Sequence, residues 1–246
     1  MPFGIIKGMG RRNMVCRAMA CLLYAAVALL TIEVFSALLS GRAFLWPEWA
    51  VIALLATLLV LSANALLVGA LQTAKARARA ARRSLWLLFG LYSCLLLYLL
   101  FLSRSGSFLS DWEAYWNYSM VNLIPLQTIL RYVNALRRGV IPMVALANLA
   151  GNLVLFVPYG VLLPLLFPKL RRFWRFLVLL FAVLLAVEAI QMALRCGSCD
   201  VDDVLLNLAG AVTAYFGIRI PPVARWLRRR YYLWEPALAP DAADGQ

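Results

Sequence analysis

Cys196-Gly-Ser-Cys-Asp-Val-Asp-Asp-Val-Leu-Leu-Asn-Leu-Ala-Gly210 is the stretch that decides the fold, because it places acids at the head of an apolar segment. Asp203, Asn207 and Gly210 are spaced four and three residues apart, so in a helix they share one face. Gly210 and Ala214 continue that face with small residues, which allows close helix packing. Asp200 suits the N-cap and Asp203 the third helical position, a capping role that competes with a role in binding.

The composition indicates an integral membrane protein. Of the 246 residues 64% are hydrophobic and 14% are charged, which leaves too little polar surface for a soluble fold. Histidine is absent, which removes the commonest general base and the commonest transition-metal ligand. The net charge of +13 lies in short clusters between apolar runs, as membrane topology requires. We therefore predict membrane lipids, and no nucleic acid, as partners.

Six apolar runs predict an all-α, polytopic membrane helix bundle with about six transmembrane helices. Most of them approach the ~20 residues that a helix needs to cross the hydrocarbon layer. The runs cover residues 14–39, 49–71, 85–103, 145–167, 173–194 and 204–217. The first run exceeds the core of a signal peptide, about 7–15 residues, so we predict a retained helix, although Ser40-Gly41 leaves cleavage open.

The pattern of residues 122–138 predicts one further helix, which does not cross the membrane. Apolar residues recur there at helical spacing, with polar residues on the opposite side. The apolar stripe consists of Leu126, Ile129, Leu130 and Val133. Pro125 is typical of a helix start and Gly139 of a helix end. At about 1.5 Å per residue this helix is too short to span, so we expect an interfacial or re-entrant helix.

The distribution of basic residues predicts the topology. With a cytoplasmic N-terminus and six helices, 18 of the 24 Lys and Arg residues fall on the cytoplasmic side. The opposite orientation inverts this ratio. We therefore expect a multi-pass plasma membrane protein with both termini in the cytoplasm, and with the acidic motif and residues 122–138 on the external face.

Glu188 and Gln191 are polar residues inside the fifth run. They lie three residues apart on one helix face, with Arg195 one turn further along. An acid at this depth costs a few kcal/mol, so it needs an explanation. It is either functional or part of a structural pair with Arg195 or Arg104.

The fourth run carries two amides ahead of a proline. Asn148 and Asn152 lie one turn apart, and they either join helices by hydrogen bonds or contact a ligand. Pro158 has no backbone N–H to donate, so we predict a kink there.

The acidic motif raises two further chemical alternatives. Asp200, Asp202 and Asp203 could hold Mg²⁺ or Ca²⁺ through oxygen ligands, and no other cofactor is predicted. Cys196 and Cys199 form a CxxC, but a zinc site needs two more soft ligands. A local structural disulfide and two free thiols remain the alternatives for this pair.

Four motifs, taken in order, resemble the VanZ-like family, which is named for a protein that raises resistance to the glycopeptide teicoplanin. They are Asn122-Leu-Ile-Pro125, then Asn148 and Asn152 with Phe156-Val-Pro-Tyr-Gly160, then Glu188-x-x-Gln191, then Asp200-Val-Asp-Asp203-x-x-x-Asn207-x-x-Gly210. We predict a two-helix extension at residues 1–84, a VanZ-like membrane domain at 85–220, and a basic juxtamembrane segment with a disordered tail at 221–246. The chain has Gly197 where the family usually has arginine, and Arg195 lies two residues earlier.

The resemblance implies a bacterial membrane protein linked to lower glycopeptide susceptibility. We predict that it binds a cell-envelope lipid, a lipid-linked cell-wall precursor or a glycopeptide in a polar pocket at the outer leaflet. The alternatives are a metal-assisted enzyme acting on a lipid-linked substrate, and a lipid transporter or flippase. The predicted ligand-binding residues are Asn122, Asn148, Asn152, Glu188, Gln191, Asp200, Asp202, Asp203 and Asn207, with Arg104 and Arg195 as candidate anion-binding residues.

Overall fold

The computed structural model describes residues 3–40, 46–102, 121–139 and 142–231. The helices of this part, in chain order, are α1 (Phe3–Leu39), α2 (Trp46–Ala70), α3 (Ala74–Leu97), α4 (Gln127–Arg137), α5 (Pro142–Leu155), α6 (Val157–Leu166), α7 (Phe173–Leu194), α8 (Val201–Gly217) and α9 (Pro221–Tyr231). Two short strands are β1 (Val121–Asn122) and β2 (Cys199–Asp200). A π-helical turn covers Tyr98–Leu102 and a 3-10 turn covers Pro168–Arg171.

Several of the described helices are long and apolar enough to cross a membrane. Those that qualify alone are Asn13–Ala37, Val51–Ala70, Ala74–Leu102, Ala145–Leu166 and Phe173–Leu194. A sixth candidate is Val201–Gly217 counted together with Pro221–Arg229, because the 17 residues of α8 fall short of a full span. The predicted all-α membrane helix bundle is therefore confirmed. The type of membrane and the direction of the termini stay predictions.

The chain divides into two compact units. One comprises Met1–Gly90 with Ile220–Gln246, and the other comprises Leu91–Arg219. The domain boundaries predicted at residues 84 and 220 stay predictions.

In the first unit, α1 packs along α2 and basic side chains close the end of α2. The guanidinium of Arg17 donates to the carbonyl of Ala70 over 3.5 Å, and Nε of Arg77 donates to the carbonyl of Leu71 over 2.8 Å. The last carbonyls of a helix have no partner within it, so cationic donors stabilise this end.

In the second unit, aromatic and aliphatic side chains of α7 and α8 form the centre of the core. The rings of Phe176 and Tyr215 stack with their centroids 4.4 Å apart, and both side chains are buried. Around them lie Leu96, Leu100, Phe156, Leu180, Leu184, Val204 and Ala211. This apolar centre holds α8 in place, and α8 carries most of the acidic motif.

Two glycines bring α5 and α6 against α8 at backbone distance. A Cβ on Gly210 would run into the carbonyl of Leu153, and a Cβ on Gly160 would run into the carbonyl of Ala211. The small-residue face predicted at Gly210 and Ala214 is therefore a helix-packing face, since Ala214 also lies against Gly160. Gly160 supplies the matching gap on α6.

The fourth apolar run is broken where a kink was predicted. Helix α5 ends at Leu155 and α6 begins at Val157, with Pro158 in its first turn. The hydroxyl of Tyr92 donates to the carbonyl of Leu155, so a side chain from α3 satisfies a carbonyl beside the break. The helix is therefore interrupted beside Pro158, and a change of axis direction there stays a prediction.

Candidate functional site

A short parallel strand pair joins two distant parts of the acidic region. Val121 pairs with Cys199, and Asn122 pairs with Asp200. This pairing brings the segment before α4 beside the N-terminus of α8. The sequence did not predict these strands, because each is only two residues long.

Asn122 uses its amide to organise this junction. Its Nδ2 donates to Oδ1 of Asp200 and to Oγ1 of Thr128, both over 2.9 Å, and its Oδ1 accepts the backbone N–H of Ile124 over 3.1 Å. With two donors and an acceptor engaged, Asn122 holds the chain at the entrance to α4.

Asp200 is the N-cap of α8, as predicted. Its Oδ1 accepts the backbone N–H of Asp202 over 2.9 Å. In a capping box the third helical residue would bond back to the backbone N–H of the cap. Here that N–H donates to Oε2 of Glu188 over 3.1 Å, and Glu188 is buried. An acid of α7 thus takes part in capping α8.

Asp202 caps a different helix from its own. Its side chain is fully buried, and Oδ1 accepts the backbone N–H of Leu126 over 2.5 Å. Oδ2 accepts the N–H groups of Thr128 and Ile129 over 2.7 and 3.0 Å. A carboxylate at a helix N-terminus satisfies donors that lack partners and opposes the positive end of the helix dipole. We call Asn122, Glu188, Asp200 and Asp202 the capping network.

Helix α4 begins at a different residue from the one predicted, because Asp202 caps it. Pro125 was expected to open the helix, but α4 begins at Gln127, and Leu126 has a left-handed backbone with φ of 67°. A leucine at the N-cap position offers no side-chain acceptor, and Asp202 supplies it from α8. The absence of Ser, Thr, Asp or Asn at that position was the sequence signal for a cap from elsewhere.

A second polar group lies on α5 and α8. Nδ2 of Asn152 donates to Oδ1 of Asp203, and Nδ2 of Asn207 donates to the backbone carbonyl of Asp203 over 2.7 Å. Asn152 and Asp203 are half-buried, and Asn148, one turn before Asn152, is exposed. We call Asn148, Asn152, Asp203 and Asn207 the polar face.

Asn207 has a side-chain oxygen without a partner among the described residues. The residue is only 5% exposed, and its Oδ1 accepts no hydrogen bond within the described part of the chain. Its Nδ2 bonds to a carbonyl, which fixes the orientation of the amide. Buried acceptors are nearly always paired, so this oxygen is a place for a ligand donor.

Gln191 and Arg195 belong to neither the capping network nor the polar face. Nε2 of Gln191 donates to the carbonyl of Leu100 over 3.0 Å, so this buried amide ties α7 to the π turn. Arg195 is half-buried and ends α7 with a left-handed backbone, φ 52°. Arg104 lies outside the described residues.

The three acids of the motif make different hydrogen-bond contacts. Within the described ranges, no group of three or more His, Cys, Asp or Glu side chains is placed to hold a metal ion. Both oxygens of Asp202 accept backbone N–H groups, Asp200 caps α8, and Asp203 bonds to Asn152. These contacts give the carboxylates a structural use that needs no cation.

The CxxC has free thiols at both positions, which is one of the two predicted alternatives. Cys196 is buried and Cys199 is half-buried in β2. Burial raises the pKa of the Cys199 thiol above its usual value, and the nearby charges of Glu188 and Asp200 raise the pKa further. The thiolate of Cys199 is therefore disfavoured.

We expect Glu188→Gln to lower the pKa of Cys199, because it removes a negative charge and keeps an oxygen that accepts the N–H of Asp200. The thiolate fraction rises as the pKa falls, so alkylation by iodoacetamide at mildly alkaline pH should be a few times faster.

The background variant lacks Cys16, Cys21 and Cys94. Glu33→Gln, which changes an exposed acid in α1, is the control and should leave the pH profile of alkylation unchanged. If Glu188→Gln left the pH profile of alkylation unchanged, the charge of Glu188 would not be a cause of the raised pKa of Cys199.

Comparison with known proteins places this geometry in a family. No curated protein and no solved structure matches the chain. The sequence model of the VanZ/LLP1 family matches residues 89–222, which is more than half of the 246 residues. The match includes both strands, the capping network and the polar face. The chain therefore belongs to the VanZ/LLP1 family.

Proposed function

We propose that the protein binds a cell-envelope lipid, a lipid-linked cell-wall precursor or a glycopeptide held there, and thereby lowers susceptibility to glycopeptides such as teicoplanin. Binding takes place on the polar face of α5 and α8. The observation that carries the proposal is the buried Oδ1 of Asn207, an acceptor without a partner among the described residues. A hydroxyl or amide N–H of the ligand would satisfy it.

The chemistry of the polar face suits a sugar or peptide group. Amides offer both donors and acceptors, and the carboxylate of Asp203 accepts strong hydrogen bonds. Asn148 and Asn152 would contact a ligand from α5, while Asp203 and Asn207 would contact it from α8. These groups require a ligand rich in hydroxyl and amide groups, as the glycan and peptide parts of cell-wall precursors are.

The surroundings of the site favour a ligand in a lipid membrane. Large apolar side chains before and within α4 are exposed, namely Leu123, Ile124, Leu126 and Leu130. Exposed apolar residues on a short amphipathic helix are typical of a membrane interface. The positive-inside count favours the outer leaflet for this region, and envelope precursors and glycopeptides meet there.

The test replaces Asn207 by leucine and measures teicoplanin inhibition of a susceptible host that expresses the chain. Loss of one buried hydrogen bond to the ligand should weaken binding about tenfold, and protection should fall with it. Asn207→Leu also removes an unsatisfied buried acceptor, so the stability of the protein should change by no more than ~1 kcal/mol. This combination separates a binding role from a structural one.

Asn64 provides a matched control. It is another buried asparagine whose Oδ1 lacks a partner in the described residues, and it lies in α2 of the first unit, outside the stretch that matches the family. Asn64→Leu should leave protection intact while both variants reach the membrane in equal amounts. Full protection by Asn207→Leu, or no protection by the parent chain, would contradict the proposal.

A further inference from the structure

A second candidate site lies in the first unit, outside the stretch that matches the family. A cavity of about 450 Å³ opens among α1, α2 and α3. Its lining includes Tyr24, Leu67, Leu71, Arg79, Arg83 and Leu87. The cavity therefore combines leucine side chains with a pair of cations.

Arg79 and Arg83 are the cationic residues of the cavity lining. They lie one turn apart on α3, so their side chains extend from the same face. Both are exposed, and neither makes a hydrogen bond or an ion pair within the described ranges. The neighbouring Arg77, by contrast, donates to the carbonyl of Leu71. Two guanidinium groups thus line the cavity, and no described residue accepts a hydrogen bond from them.

The lining also contains a polar contact and apolar walls. The hydroxyl of Tyr24 and Oγ of Ser84 are hydrogen bonded over 2.7 Å, and Ser84 is only 3% exposed. Leu67 and Leu87 line the wall. A ligand that fills this space needs an anionic part and a hydrocarbon part.

The position along α3 matches such a ligand. The helix is basic from Lys75 to Arg83 and apolar from Leu85 onward, although the whole segment Ala74–Leu102 qualifies as a span. The change from basic to apolar residues along α3 places Arg79 and Arg83 at the depth of lipid headgroups. It places Leu87 at the depth of acyl chains.

We propose that this cavity binds an anionic phospholipid. The phosphate lies between the guanidinium groups of Arg79 and Arg83, and an acyl chain packs against Leu67 and Leu87. Guanidinium groups bind phosphate oxygens with paired hydrogen bonds, which gives geometric selectivity beyond charge alone. The lipid then fills a gap between the helices of the first unit. This inference does not depend on the proposed function of the polar face.

The test counts bound lipids by native mass spectrometry of the full chain in a neutral detergent. The probes are phosphatidylglycerol, phosphatidylcholine and inorganic phosphate. We expect phosphatidylglycerol to bind at least several times more tightly than phosphatidylcholine, and inorganic phosphate not to compete. Equal affinity for the two lipids, or full competition by phosphate, would overturn the proposal.

Paired variants separate the cavity from the general basic charge of α3. Arg79→Gln with Arg83→Gln should weaken phosphatidylglycerol binding about tenfold or more. Lys75→Gln with Arg82→Gln removes the same charge from exposed positions outside the lining, and should weaken binding by less than about threefold. Equal losses in the two pairs would show attraction by charge alone.

A charge-preserving pair keeps the test decisive if the glutamine pair fails to fold. Arg79→Lys with Arg83→Lys retains both charges and loses the planar forks, so binding should weaken about threefold. Size-exclusion profiles and melting temperatures establish folding for each variant. Unchanged affinity in the lysine pair would overturn the proposal that guanidinium groups hold the phosphate by paired hydrogen bonds.

Discussion

Replacing Asp202 by alanine should release α4 and destabilise the second unit by about 3–5 kcal/mol. The change removes a buried carboxylate that accepts the N–H groups of Leu126, Thr128 and Ile129. Those donors have no partner inside α4, and the positive end of the helix would be left facing a cavity. Hydrogen exchange of these amides, measured by mass spectrometry, should rise from strongly protected to nearly unprotected.

The neighbouring acid is the control for this prediction. Asp203→Ala removes an equal charge one residue away, but Asp203 bonds to Asn152 of α5. The amides at the start of α4 should therefore stay protected in this variant. Equal loss of protection in both variants would show that general charge, and not the contact with Asp202, holds α4.

Adding one methyl group at Gly210 should cost about 3 kcal/mol. A Cβ there would collide with the carbonyl of Leu153, and backbone cannot move aside as a flexible side chain does. Helix α5 would have to separate from α8, which would pull Asn152 away from Asp203. Gly210→Ala should lower the midpoint of thermal unfolding in detergent and the protection against teicoplanin together.

Gly151 is the matched control on α5. A Cβ at that position meets nothing within 4 Å, so Gly151→Ala should be neutral or stabilising by up to about 1 kcal/mol. Gly160→Ala should resemble Gly210→Ala, because its Cβ would meet the carbonyl of Ala211. A Gly210→Ala protein as stable as the parent would contradict the close packing of these helices.

Several features followed from the sequence because they depend on local spacing. Apolar run length gave the helix bundle, Pro158 gave the break, and Asp200 gave the N-cap of α8. The small-residue face at Gly210 followed from helical periodicity. Each of these depends on residues within a few turns of one another.

The partners of the polar side chains could not be predicted in the same way. Periodicity places Asp202 on a helix, but it does not tell which neighbouring helix donates to its carboxylate. Glu188 was predicted to be a site residue or an ion-pair partner, and the N–H of Asp200 that it accepts was not predicted. The division into a capping network and a polar face depends on contacts between distant segments. Their roles in ligand binding stay predictions.

The contact between Asp202 and α4 also bears on how the chain is made. The donors in α4 precede their acceptor by 73 to 76 residues, so the ribosome completes α4 long before it adds Asp202. At ordinary rates of translation the delay is roughly 4–15 s. During that time the N–H groups at the start of α4 lack the carboxylate of Asp202, while the exposed Leu126 and Leu130 suit a lipid surface. Final assembly of this half of the protein must therefore wait until the last part of its membrane domain has emerged.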